Sequence, residues 1–192
     1  MNTATALFPL IIALPLLGFF INGTIGLFAE SYRKQKMLIG SLASVAVFIP
    51  FLIAVYLFTG FNYDTQPEIV TLFTWMQTGS FTAEIAYRVD QLSLIMTLVV
   101  TGVGFLIHVY SMGYMAHDKG YWKFFAFLNL FIFAMLNLVL GNNLLLLFLG
   151  WEGVGVCSYL LIGFWYHDMT KSKKKKKAFI YNRIGDFAFL IA

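Results

Sequence analysis

Met37-Leu38-Ile39-Gly40-Ser41-Leu42-Ala43-Ser44-Val45-Ala46-Val47-Phe48-Ile49-Pro50-Phe51-Leu52-Ile53-Ala54-Val55-Tyr56-Leu57-Phe58-Thr59 carries no Asp, Glu, Lys, Arg or His, and the charge-free run continues to Tyr63. A helix needs about 20 predominantly apolar residues to cross a bilayer core, and this stretch is long enough. Ala4 to Ala29 is equally free of charge. Neither run fits a water-soluble globule. The whole chain agrees: 60% of its residues are hydrophobic and 11% charged, less than half the charged fraction of about 25% in an ordinary soluble domain.

Working outward, the sequence predicts six spans: Ala4–Ala29, Met37–Thr59, Gln91–Met115, Phe124–Leu140, Asn143–Phe164, and a sixth that starts near Ala178 and is cut off at Ala192. Pro9 and Pro15 in the first are tolerated because neighbouring helices re-satisfy freed backbone groups. The first span reads as retained rather than as a signal peptide, since Met1 to Leu7 has no basic side chain and the apolar run is too long. The fold class is therefore an all-α polytopic membrane protein, and the chain reads as the N-terminal part of a longer one. Residues 1–90 are expected to form an N-terminal unit and residues 91–192 the start of a second.

Basic loop residues set orientation. Arg33, Lys34 and Lys36 follow the first span, Lys119 and Lys123 the third, and Lys171 with Lys173 to Lys177 the fifth; Arg88 is alone in the alternate loops. That alternation puts the N-terminus outside and makes the lysine run an orientation determinant at the lipid surface, not a nucleic-acid site.

Between the second and third spans, Ile69 to Met76 is rich in β-branched and aromatic residues, and Phe81, Ala83, Ile85, Tyr87 and Val89 share one parity against Thr82, Glu84, Arg88 and Asp90. Period-two alternation around Gln77-Thr78-Gly79-Ser80 predicts an external antiparallel β-hairpin. A lone hairpin is marginal, so this one must pack on helices or on a neighbouring subunit.

Ionisable groups inside a span mark functional candidates. Glu152 lies near the middle of the fifth span and has only Phe148, Leu149, Gly155 and Val156 at helical neighbour positions. A charge there costs about 2.5–3.5 kcal/mol on insertion scales, so either it is protonated or another helix brings it a cation or water. It reads as a proton relay or as interhelical glue. Gly150, Gly153 and Cys157 form a small-residue face for a closely approaching helix. Arg183 and Asp186 enter the sixth span three residues apart and can pair along one helix face. His108, about 26 Å along the third span from Gln91, reads as an interfacial histidine; Asn129 and Asn137 read as partners for neighbouring helices or for water. The lone Cys157 reads as packing. Gly153-Val154-Gly155 has no preceding strand, so it is no dinucleotide fingerprint, and the chain is expected to bind no cofactor.

His108-Val109-Tyr110-Ser111-Met112-Gly113-Tyr114-Met115, Gly141-Asn142-Asn143-Leu144, Gly150-Trp151-Glu152-Gly153-Val154-Gly155, Ser158 to Trp165, and Asn182-Arg183-Ile184-Gly185-Asp186 closely resemble the antiporter-like subunit family of proton-pumping NADH:quinone oxidoreductase (respiratory complex I), its chain-5 or L branch most of all. The resemblance implies inverted five-helix repeats beginning at the fourth span, with a line of mid-membrane lysines. It implies that Glu152 faces a lysine on a seventh span beyond Ala192, that Arg183 and Asp186 are further relay candidates, and that the hairpin contacts other subunits. NADH, FMN, iron–sulfur clusters and quinone are implied for other subunits, an adjacent antiporter-like subunit for partner, and the inner (plasma) membrane for location. The Lys173–Lys177 run is denser than the family pattern. Sodium/proton antiporter and membrane hydrogenase subunits share these motifs, and an inert membrane fragment is a third reading.

Overall fold

A computed structural model describes residues 3–60, 67–79, 81–165 and 169–191. The elements are α1 (Thr3–Phe28), α2 (Glu30–Lys34), α3 (Lys36–Gly60), β1 (Glu68–Thr78), β2 (Phe81–Val89), α4 (Gln91–Tyr114), α5 (Tyr121–Leu140), α6 (Leu144–Ile162) and α7 (Met169–Ile191). The first five expected spans coincide with α1, α3, α4, α5 and α6, which are the helices long and apolar enough to cross a membrane among the described residues. The sixth departs from expectation. Its helix begins at Met169, so the lysine run assigned to a loop forms the first turns of α7. Lysine is a good helix former, so the run can continue the helix.

α1 packs on α3 and α5, α4 packs on α3 and α5, α3 also meets α5, α6 lies on α5, and α7 lies on α6. Helix starts follow local chemistry. Asp90 caps α4: its Oδ1 accepts from the Ser93 amide at 2.8 Å while its own amide donates to Ser93 Oγ at 2.8 Å, a reciprocal capping box. Burial pushes the Asp90 carboxyl up, but the Ser93 amide and hydroxyl and the Arg88 guanidinium outweigh it and hold its pKa below the usual value. Asn143 caps α6 through Leu146 N at 2.9 Å.

The hairpin forms as expected, β1 antiparallel to β2, with Gly79 at φ +58° in the turn. Its strict parity does not hold. Register shifts occur between Thr71 and Phe73 and between Thr74 and Met76, which leave Leu72 and Trp75 as the extra residues of two bulges. Ala86, on the expected polar face, is buried, whereas Ile85 is only half-buried. The reason is the α5–α6 turn: Asn142 N donates to Ala86 O at 3.0 Å and Asn143 Nδ2 to Glu84 O at 2.7 Å, so β2 is covered by its own chain. Phe81's side chain lies outside the described residues.

One apolar cluster, with Phe8, Ile11, Val47, Tyr87, Leu94 and Leu136, sits at the hairpin end. A second, with Tyr32, Ile39, Met115, Tyr121, Trp122 and Phe125, joins α2 to α3, α4 and α5. Beside the second, Lys36 Nζ donates to Ala116 O at 2.6 Å and Trp165 Nε1 to Asp118 Oδ2 at 2.9 Å.

Candidate functional site between α6 and α7

The small-residue face of α6 determines where Glu152 points. A Cβ at Gly150 would stand 2.4 Å from Leu138 N and 2.7 Å from its Cα, and one at Gly153 2.9 Å from Ala134 Cβ. Backbone thus meets backbone along the α5–α6 seam, as the small residues predict, and Cys157 is buried one turn on. With these positions turned to α5, Trp151 and Glu152 reach α7.

α7 runs antiparallel to α6 and offers aromatic and charged side chains in register. Phe148 stacks on Phe189 with centroids 5.9 Å apart, and Tyr159 meets Phe179 at 5.3 Å. Between these rings the Arg183 guanidinium forms an ion pair with Glu152 and lies 4.8 Å from the Phe179 centroid. Trp151 Nε1 donates to Asp186 Oδ1 at 2.8 Å. The Asp186 carboxyl is itself an electrostatic neighbour of Glu152.

The expected pairing along α7 is therefore replaced. Arg183 is bonded to Glu152 and Asp186 to Trp151, because side chains on the inner face of α7 meet α6 before they meet each other. Another helix does bring Glu152 a cation, here from within the chain. Asp186 is 5% exposed, the Glu152 side chain 19% and that of Arg183 46%: the carboxylates are shielded and the guanidinium is accessible from one side. The cluster holds two carboxylates and one guanidinium, so it carries one net negative charge unless it takes up a proton.

His108 is fully buried among the helices rather than at the protein surface, and its ring contacts Gly104 O at 2.8 Å and Asn129 Oδ1 at 3.0 Å. The reason lies in α4, where Ser93, Thr97, Thr101, Gly104, His108 and Ser111 recur every three or four residues and all are buried. That spacing was the signal available in the sequence. Asn129 meets a neighbouring helix as expected, whereas Asn137 accepts from Tyr87 on the hairpin. Among the described residues no group of three His, Cys, Asp or Glu side chains is placed to hold a metal ion.

Residues 75–125 match the family described as NADH-ubiquinone oxidoreductase (complex I), chain 5 N-terminus, and residues 141–192 match that described as NADH:quinone oxidoreductase/Mrp antiporter, TM. The chain belongs to the antiporter-like subunit family of the NADH:quinone oxidoreductases. It is 43% identical over 182 residues to NADH-quinone oxidoreductase subunit L of Rickettsia bellii, an alignment that takes in 95% of this chain and 28% of that one. The subunit L of Escherichia coli is 45% identical over 178 residues, 92% of this chain and 28% of that one. Chaetosphaeridium globosum has a chloroplastic NAD(P)H-quinone oxidoreductase subunit 5 that is 38% identical over 182 residues, 93% of this chain and 27% of its own. The chain thus spans little more than a quarter of the length of these relatives. A chain in the structure of the membrane-bound sulfane sulfur reductase, an archaeal respiratory membrane complex, has the same fold: TM-score 0.77 at 20% identity, over 97% of this chain and 35% of that one.

Proposed function

We propose that this chain is part of a proton-translocating membrane subunit of an NADH:quinone oxidoreductase, with Glu152, Arg183 and Asp186 as its proton relay. The observation that carries the reading is the ion pair between α6, whose one charged residue is Glu152, and the part of α7 that follows its lysine run. A guanidinium stays protonated, so the mobile proton belongs to the carboxylates. When a further cation approaches the accessible side of Arg183, the carboxylates release a proton; when it withdraws, they regain one, because like and unlike charges act most strongly in a low-dielectric site.

In this reading residues 91–192 begin the proton-conducting repeat and residues 1–90 form an N-terminal unit that carries the hairpin. NADH, FMN, iron–sulfur clusters and quinone belong to other subunits, an adjacent antiporter-like subunit is the partner, and the site is the inner (plasma) membrane with the N-terminus outside. A second reading, a sodium/proton antiporter subunit, draws on the second family description, which names both classes.

The test is carried out in the assembled complex that contains the full-length subunit. Gln keeps the shape of a protonated Glu without its proton, and Asp keeps the proton on a shorter stem. Glu152→Gln should assemble normally but lose most proton uptake in sealed vesicles, with NADH–quinone turnover falling too, while Glu152→Asp retains more of both. Parent-level pumping in Glu152→Gln removes Glu152 from the mechanism. Sodium-dependent proton exchange without NADH-driven pumping would favour the antiporter.

A further inference from the structure

We propose that His108 and Asn129 form a second buried proton site, in the seam of α1, α4 and α5, whose two states differ by one proton and one amide orientation. It lies on other helices than Glu152 and does not rest on the relay proposed above.

The argument starts from donors and acceptors. His108 Nδ1 lies 2.8 Å from Gly104 O, a carbonyl that can only accept. Nδ1 must therefore carry a proton, since a lone pair facing an oxygen at that distance is repulsive. His108 Nε2 lies 3.0 Å from Asn129 Oδ1, which also only accepts. With the amide in this orientation both ring nitrogens must donate, and the ring is an imidazolium. The same orientation leaves Asn129 Nδ2 buried with no partner, against α1, where a Cβ on Gly18 would be 2.5 Å away. A neutral ring with its proton on Nδ1 requires the opposite arrangement. Asn129 turns half-way round its terminal bond, Nδ2 donates to the Nε2 lone pair, and Oδ1 faces α1. That places an acceptor on the side where Asn22, one turn beyond Gly18, holds a second unpartnered Nδ2. The proton added at Nε2 comes from water and returns to it.

Among the described residues, no ion pair or charged hydrogen-bond partner is formed with His108 or Asn129. Phe125 stands beside the ring with centroids 6.1 Å apart, and Ile132 fills the space over Gly104. On the adjoining elements Tyr121 of α5 packs on Phe125 and Tyr32 of α2 donates to Asn22 Oδ1 at 2.7 Å, while Arg33 of α2 and Lys123 of α5 lie at the Trp122 ring. Lys36, at the start of α3, is turned to Ala116 O. The groups whose arrangement distinguishes the two states are therefore the neutral Gly104 carbonyl and the Asn129 amide.

The experiment uses the full-length protein in lipid nanodiscs, labelled with ¹⁵N at histidine and asparagine side chains. The signals lost in His108→Gln identify the ring. From about pH 9 to about pH 5, across the range where histidine changes charge, Nε2 should move from its lone-pair to its N–H position while Nδ1 stays protonated. The Asn129 amide signal should shift over the same interval. Asn129→Asp, which can only accept when ionised, should move the midpoint to higher pH. A ring that keeps one protonation state throughout with a stationary Asn129 amide overturns the proposal, as does an unmoved midpoint in Asn129→Asp.

Discussion

Tyr87 on the hairpin donates its hydroxyl to Asn137 Oδ1 at 2.8 Å, and both residues are buried. Asn137 Nδ2 meanwhile donates to Phe133 O at 2.8 Å, so the amide is satisfied at both ends. Tyr87→Phe should leave the carbonyl buried without a donor, a loss of about 1–3 kcal/mol. Thermal unfolding followed by circular dichroism in lipid nanodiscs measures it. A further loss from Asn137→Ala in the same background should be small, since the two act as one unit.

The same contact sets an alkaline limit. Burial pushes the Tyr87 phenol up from 10.0 to about 12. An acid whose ionisation is raised on folding contributes its stability in full below the unfolded value, near 10, and loses it as pH rises through about 12. Hairpin docking should therefore weaken across that window, and Tyr87→Phe should lack this part of the response. Proteolysis within β1 after pH steps is the measurement; identical alkaline profiles would assign the loss to other groups.

Gly150→Ala should separate α6 from α5, because the added methyl meets Leu138 backbone at 2.4 Å and backbone cannot rotate away. The expected loss is about 1–3 kcal/mol, as for other overpacked sites. Gly155 is the control: its Cβ would have Asn182 Nδ2 at 3.6 Å as its neighbour. Gly155→Ala should be neutral or gain up to about 1 kcal/mol from helix propensity. Equal losses at both positions would contradict the backbone contact.

Orientation is open to cysteine labelling in a Cys157→Ser background. Thr78→Cys, at the exposed end of β1, should react with an impermeant thiol reagent from outside. Lys119→Cys, exposed between α4 and α5, should react only after permeabilisation. The reverse pattern would invert the assignment made from basic residues.

Helix positions and the hairpin were legible because their signals are local: apolar run length for α1, α3, α4, α5 and α6, and alternation with a glycine turn for β1 and β2. Glu152 stood out because an isolated carboxylate in an apolar run is costly wherever its partners are. Its partner was not legible. Arg183 faces α6 rather than Asp186 through the rotation of α7 about its axis, which tertiary packing fixes and spacing along one helix does not. The burial of His108 was not legible for a related reason: its position along the span does not tell which face α4 turns inward, and the buried stripe from Ser93 to Ser111 depends on that. Ala86 broke the alternation because a turn more than fifty residues later closes over it.

That closure has a consequence for how the protein is made. The single amide of Asn143 does two things at once: Oδ1 starts α6 through Leu146 N, and Nδ2 holds the hairpin through Glu84 O. Chains are synthesised from the N-terminus, so the hairpin leaves the ribosome before the residues that close over it exist. Until α5 has crossed the bilayer and delivered Asn142 and Asn143, the Ala86 and Glu84 carbonyls wait without these partners. Biogenesis thus has a built-in order, in which completion of the hairpin and initiation of the helix that bears Glu152 are one event.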